Sequence, residues 1–135
     1  MKDADAYLNF VRALVVESPF VTHWDILREE TQGDLGLYRF RLTLTDGSII
    51  EMFERYQIVK EEVSVTKYSF HWQDSSGCLR KRWDNAPHHP EVSTHPHHLH
   101  DGAEDHVVPH DSMTCEKLIL VLATEFGRKG NTSDL

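Results

Sequence analysis

The sequence predicts an α+β fold: an antiparallel five-stranded β-meander flanked by an N-terminal and a C-terminal helix, with a His/Pro-rich loop after the last strand. Three observations carry this. Apolar and polar residues alternate through most of the middle of the chain, the period of half-buried strands. Turn signals at Gln32-Gly33-Asp34, Asp46-Gly47 and Asp74–Gly77 cut that stretch into consecutive strands, which pair antiparallel with their neighbours. At both ends the alternation gives way to i, i+3, i+4 apolar spacing, so two helices pack on one face of the sheet.

Asp3 to Glu17 reads as the first helix. Its stripe is Tyr7, Phe10, Val11, Leu14 and Val15, with Asp3 as N-cap, Asp5 in the first turn and Ser18-Pro19 as the stop. Val21–Glu30 is the first strand, with Thr22, Trp24 and Ile26 on one face. Leu35–Leu44 is the second. It carries Tyr38, Phe40, Leu42 and Leu44 on one side and Arg39, Arg41 and Thr43 on the other. Asp46-Gly47 marks a hairpin whose loop holds two residues or three. A three-residue loop pairs Leu42 with Ile50 and Phe40 with Met52, and this apolar match favours it over pairing Leu42 with Glu51. Ser48–Val59 continues the face with Ile50, Met52, Tyr56 and Ile58. Glu54 stands among them, either reaching solvent or an arginine, or serving as a site carboxylate that faces the histidines. After the polar turn Lys60-Glu61-Glu62, Val63–Gln73 carries Tyr68, Phe70 and Trp72 opposite Lys67, Ser69, His71 and Gln73. Cys78–Trp83 is the fifth strand, Asp101–Pro109 an acidic loop, and Met113–Phe126 the second helix, capped by Ser112 or Thr114 and stopped at Gly127. Residues 1–127 form one domain, and residues 128–135 are expected to fray.

Composition excludes several classes. The net charge of −8 argues against a general nucleic-acid coat, though not against a local phosphate site. Protonating all ten histidines would carry that charge to +2, so the surface charge depends on pH near 6. No apolar run approaches the roughly 20 residues of a membrane span, and no secretory signal opens the chain. Cys78 and Cys115 lie far apart and read as ordinary thiols. The expected location is the cytoplasm.

Chemistry concentrates in Asp84–His100, DNAPHHPEVSTHPHHLH. Six of the ten histidines lie there: His88, His89, His95, His97, His98 and His100. Pro87, Pro90 and Pro96 interleave with them and stiffen the chain in extended geometry. The fifth strand delivers Arg82, Asp84 and Asn85 into this segment. Arg80 and Arg82 on one face would hold a phosphate between two guanidiniums, beside imidazoles able to act as general acid and base on an RNA phosphodiester. In that reading Arg82 holds phosphate and His88, His89 and His98 transfer protons. Asp84 orients a histidine, and Asn85 binds substrate or pins the turn. His71 reads equally as a functional or a hydrogen-bonding strand residue. No cofactor is required.

A second reading is a divalent metal such as zinc. His95-x-His97 and His98-x-His100 place imidazoles on one side of an extended chain. His95, His98 and His100 are then the candidate ligands, with Asp84, Glu91 or Asp101 completing the set. No H-E-x-x-H or Cys/His zinc spacing supports it, and histidine-rich tracts also bind metals adventitiously. Taken singly, His97, His100, His106 and His110 read as bystanders. A third reading is an interaction protein without catalysis. No G-x-S-x-G or Gly-rich phosphate loop is present.

The chain resembles the TumE family of prokaryotic toxins over roughly residues 5–125. The resemblance rests on the first helix ending in ESP, LTLTDGS followed by FERY, KYSFHWQD, and above all GCLRKRWDNAPHHPEVSTHPHHLH. Tyr68, His71, Gln73, Arg82, Asp84, Asn85, His88, His89 and His98 match positions associated with that family, which adds Tyr68 and Gln73 to the substrate-binding candidates. His100 matches less closely, and Asp101–His110 looks peculiar to this chain. The resemblance implies a growth-inhibiting toxin held in check by a DNA-binding antitoxin. The ribonuclease reading, with RNA as substrate, adds to it the Arg/His constellation and the habits of such toxins.

Overall fold

The computed structural model describes residues 1–133, with side chains described as far as residue 127. The chain runs α1 (Ala4–Glu17), β1 (Val21–Gln32), β2 (Leu35–Leu44), β3 (Ile49–Val59), β4 (Glu62–Gln73), β5 (Leu79–Asp84), β6 (His98–Asp101), β7 (Val107–Pro109) and α2 (Cys115–Ser133). The seven strands form one antiparallel sheet in sequence order. The meander is therefore seven-stranded, not five-stranded. Only residues 85–97 of the His/Pro-rich segment form a connection, because its last residues pair with β5. The acidic stretch after them is a β-hairpin rather than a loop.

The core lies between the sheet and the two helices. The expected sheet face is buried throughout: Tyr38, Phe40, Leu42 and Leu44, then Ile50, Met52, Tyr56 and Ile58, then Tyr68, Phe70 and Trp72. Helix α1 adds Tyr7, Leu8, Val11 and Val15, and α2 adds Leu118 and Leu122. Phe10 and Leu14 only flank this core. The first hairpin has the three-residue register, with Leu42 opposite Ile50, Phe40 opposite Met52 and Gly47 at φ 82. β1 is an edge strand with two irregularities in its pairing, and its Ile26 is exposed while Trp24 packs edge-on to Phe40.

Capping matches the residue chemistry. The Asp3 carboxylate accepts from the Ala6 N–H at 2.9 Å, and the Ser18 hydroxyl donates to the Leu14 carbonyl at 2.6 Å. The Thr114 hydroxyl accepts from the Lys117 N–H at 3.2 Å. Helix α2 continues through Gly127, which is not its stop. The tip of the tail expected to fray, residues 134–135, lies outside the described residues.

Glu54 neither reaches solvent nor faces the histidines. It is fully buried on the helix side of the sheet, where Tyr7 and Tyr38 both donate to its Oε1, at 2.7 and 2.5 Å. Among the described residues its Oε2 has no hydrogen-bond partner. Burial raises the Glu54 carboxyl above the ordinary glutamate range, although the tyrosine hydrogen bonds pull the other way. The fold thus favours the protonated form. Its stabilising effect is complete below the ordinary value, about 4.3, and is lost as pH rises through the raised folded value. Glu54→Gln keeps the shape without the titration. Urea midpoints measured across a pH series should show the wild type losing stability relative to Glu54→Gln as pH rises above that ordinary value. Parallel curves would contradict this account.

Candidate active site

The side of the sheet away from the helices carries the expected chemistry. Glu51, His71, Arg82 and His100 are successive register partners across β3, β4, β5 and β6, and Asp84 lies opposite His98 two pairs further on. Side chains directly opposite in neighbouring strands come within contact distance. Asp84, His98 and His100 are buried there. The ring of His89 packs edge-on to those of His98 and His100, with centroids 4.9 and 5.5 Å away.

The hydrogen bonds determine what each ring can do. His98 Nδ1 lies 2.9 Å from the Pro96 carbonyl oxygen, and His100 Nδ1 lies 2.8 Å from that of Glu104. A carbonyl only accepts, so both Nδ1 atoms donate, and in a neutral ring Nε2 is then a lone pair. The two Nε2 atoms face each other at 3.1 Å. Asp84 adds Oδ1 at 3.0 Å from His98 Nε2 and Oδ2 at 3.6 Å from His100 Nε2. Arg82 closes the group. Its Nε donates to Asp84 Oδ2 at 3.2 Å, its Nη2 lies 3.2 Å from His100 Nε2, and Glu104 takes its two amines at 2.7 and 2.6 Å. The side chains of His98 and His100 are only 1% and 5% exposed, against 27% for Arg82 and 29% for His89. Arg82 and His89 therefore form the solvent-facing rim of the group.

Other predicted residues fall elsewhere. Arg80 does not share the site. A register irregularity after Trp72 turns it away, so its Nη1 donates to Asp46 Oδ2 at 2.9 Å and its guanidinium lies 4.9 Å from the Trp72 ring centroid. Asn85 is a fastener: it accepts from the Tyr68 N–H at 3.0 Å and donates to the Thr66 carbonyl at 3.2 Å. The Tyr68 hydroxyl pairs with His97 Nδ1 at 2.9 Å, and burial pushes its phenol up to about 12. His71 and Gln73 line a depression of about 200 Å³ with Arg41, Ile49 and Glu51. His88 is exposed on the connection. His95, a predicted metal ligand with His98 and His100, instead lies 3.2 Å from the His89 carbonyl and is exposed, so His89 takes its place beside the pair. A cavity of about 440 Å³ lined by Glu30, Leu35, Leu37, Arg55 and Tyr56 holds none of these groups.

Sequence reasoning passed over Glu104, which pairs with Arg82 and orients His100 through its carbonyl. It also took His100, taken singly, for a bystander. The His98-x-His100 spacing was the available signal.

An arginine, a carboxylate and imidazoles thus converge on one sheet face of a small α+β protein. A family model described as Toxin TumE matches residues 11–126, and the chain belongs to this family. Comparison with curated proteins and with solved structures gives no match. The protein is thus a toxin of a toxin–antitoxin pair, which implies a cognate antitoxin as partner. Among the described residues no helix is long and apolar enough to cross a membrane.

Asn85→Ala removes both side-chain bonds that fasten the chain just beyond β5 to β4. It should lower stability by about 1–3 kcal/mol in urea unfolding. An unchanged midpoint would show that the fastener does not hold the strand.

Proposed function

We propose that this toxin arrests growth by cutting RNA phosphodiester bonds at the Arg82, Asp84, His89, His98 and His100 cluster. The observation that carries the reading is a buried Asp84–His98–His100 group that opens to solvent through one arginine and one imidazole. Glu104 presents a carboxylate to the Arg82 fork in the two-pronged manner a phosphate would use. Glu104 is 57% exposed and can swing away, so Arg82 exchanges this carboxylate for a substrate phosphate.

In such a cleavage the 2′-oxygen attacks phosphorus and the bond to the 5′-oxygen breaks. The products are a 2′,3′-cyclic phosphate and a 5′-hydroxyl. His89 is the imidazole placed to move a proton at the rim, and His88 is the exposed neighbour for the second transfer. Asp84 holds His98 and Arg82 in register with them.

Purified untagged toxin incubated with RNA should give these product ends. Arg82→Ala and His89→Ala should each lower the rate by about 100-fold or more while remaining folded. Glu104→Ala should retain cleavage. A folded Arg82→Ala/His89→Ala protein that still cuts RNA and still arrests growth would overturn the reading.

A further inference from the structure

We infer that Asp84, His98 and His100 form a divalent-cation site of the zinc type, with one coordination position left open toward His89. The argument starts from the facing nitrogens. Both rings have Nδ1 committed to a backbone carbonyl, so two lone pairs and a carboxylate oxygen point into one gap. Such a convergence repels unless a cation or a proton lies inside it. Apart from the contact between the two Nε2 atoms themselves, among the hydrogen bonds of the described residues only Arg82 Nη2 brings a donor to either nitrogen, and it reaches only His100.

The spacing fits a metal. Zinc binds imidazole nitrogen and carboxylate oxygen at roughly 2.0–2.2 Å in a tetrahedron, which puts neighbouring ligand atoms roughly 3.3–3.5 Å apart. The separations here are 3.1 Å between the nitrogens, 3.0 Å from His98 Nε2 to Asp84 Oδ1 and 3.6 Å from His100 Nε2 to Asp84 Oδ2, one carboxylate oxygen facing each ring. The surroundings fit as well. Ligating histidines usually donate their other N–H to a carbonyl or carboxylate, and ligating carboxylates are themselves hydrogen-bonded. Pro96, Glu104 and Arg82 supply these partners.

Three protein ligands with a fourth position open is the arrangement of catalytic rather than structural zinc. Single ligand atoms of His89, His98 and His100 all lie within 4.8 Å of one another. His89 therefore stands at the open position, near enough to meet a water held there. With the cation in place, Arg82 gives up its contact with His100 Nε2 and keeps those with Asp84 and Glu104.

What the cation does in cleavage rests on the proposed function. Whether it binds does not, and the two are measured separately. Untagged protein, stripped with a chelator and dialysed, is titrated with zinc, and cobalt is added to a second sample for its visible spectrum. One zinc per chain is expected, with a cobalt spectrum of tetrahedral type. Asp84→Asn, His98→Gln and His100→Gln should each weaken zinc by at least about tenfold, with circular dichroism confirming the fold. His95→Ala, His106→Ala and His110→Ala should bind as the wild type does. Loss of binding in that second group equal to the loss in the first would mark an adventitious histidine tract and overturn the site. So would a stripped wild type that takes up no zinc. A stripped protein that takes up no zinc yet still cuts RNA would overturn the site and leave the cleavage reading standing. Zinc binding without RNA cutting would do the reverse.

Discussion

Antiparallel pairing of β5 with β6 sets Arg82 opposite His100 and Asp84 opposite His98. The site depends on that register. Side chains alternate across a strand, so a slip of one residue would send Leu99 to the polar side and both imidazoles into the apolar core. Trp83 and Leu99, paired on the core side, oppose such a slip because both are buried among the helix-facing residues. The core thus fixes the register, and the register places the chemistry.

The two faces of the sheet treat buried polar groups differently. On the helix side Glu54 has tyrosine hydroxyls but, among the described residues, no cation partner, and burial favours its neutral form. On the other side Asp84 has Arg82 and two imidazoles, and the imidazoles have carbonyls behind them. Burying charge without such partners costs several kcal/mol per ion, so the dense hydrogen bonding around Asp84 is a condition for the group to exist at all. The connection over residues 85–97 adds the cover, since it lays His89 on the rings of His98 and His100.

Much of this was legible in the sequence. The strands from residue 35 to 73 read correctly because long alternation against a buried face specifies both strand and register, down to the pairing of Phe40 with Met52. β6 and β7 were missed because they have only four and three residues, too few for a periodic signal, and histidines with prolines nearby suggest a connection. Arg80 was misplaced because a pairing irregularity after Trp72 breaks the parity that alternation assumes. The grouping of Asp84, His89 and His98 was visible as a motif. The role of Glu104 was not, since it acts partly through its backbone carbonyl and through a partner 22 residues away.

The central claim is that His98 and His100 both donate from Nδ1 and turn their Nε2 atoms toward each other and toward Asp84. Long-range proton–nitrogen NMR on labelled, metal-stripped protein reads the protonation of each ring nitrogen directly. The account predicts a protonated Nδ1 on both rings, with at least one Nε2 bare. A ring carrying its proton on Nε2 with a bare Nδ1, at either position, would break the carbonyl contacts and contradict the arrangement on which the site is built.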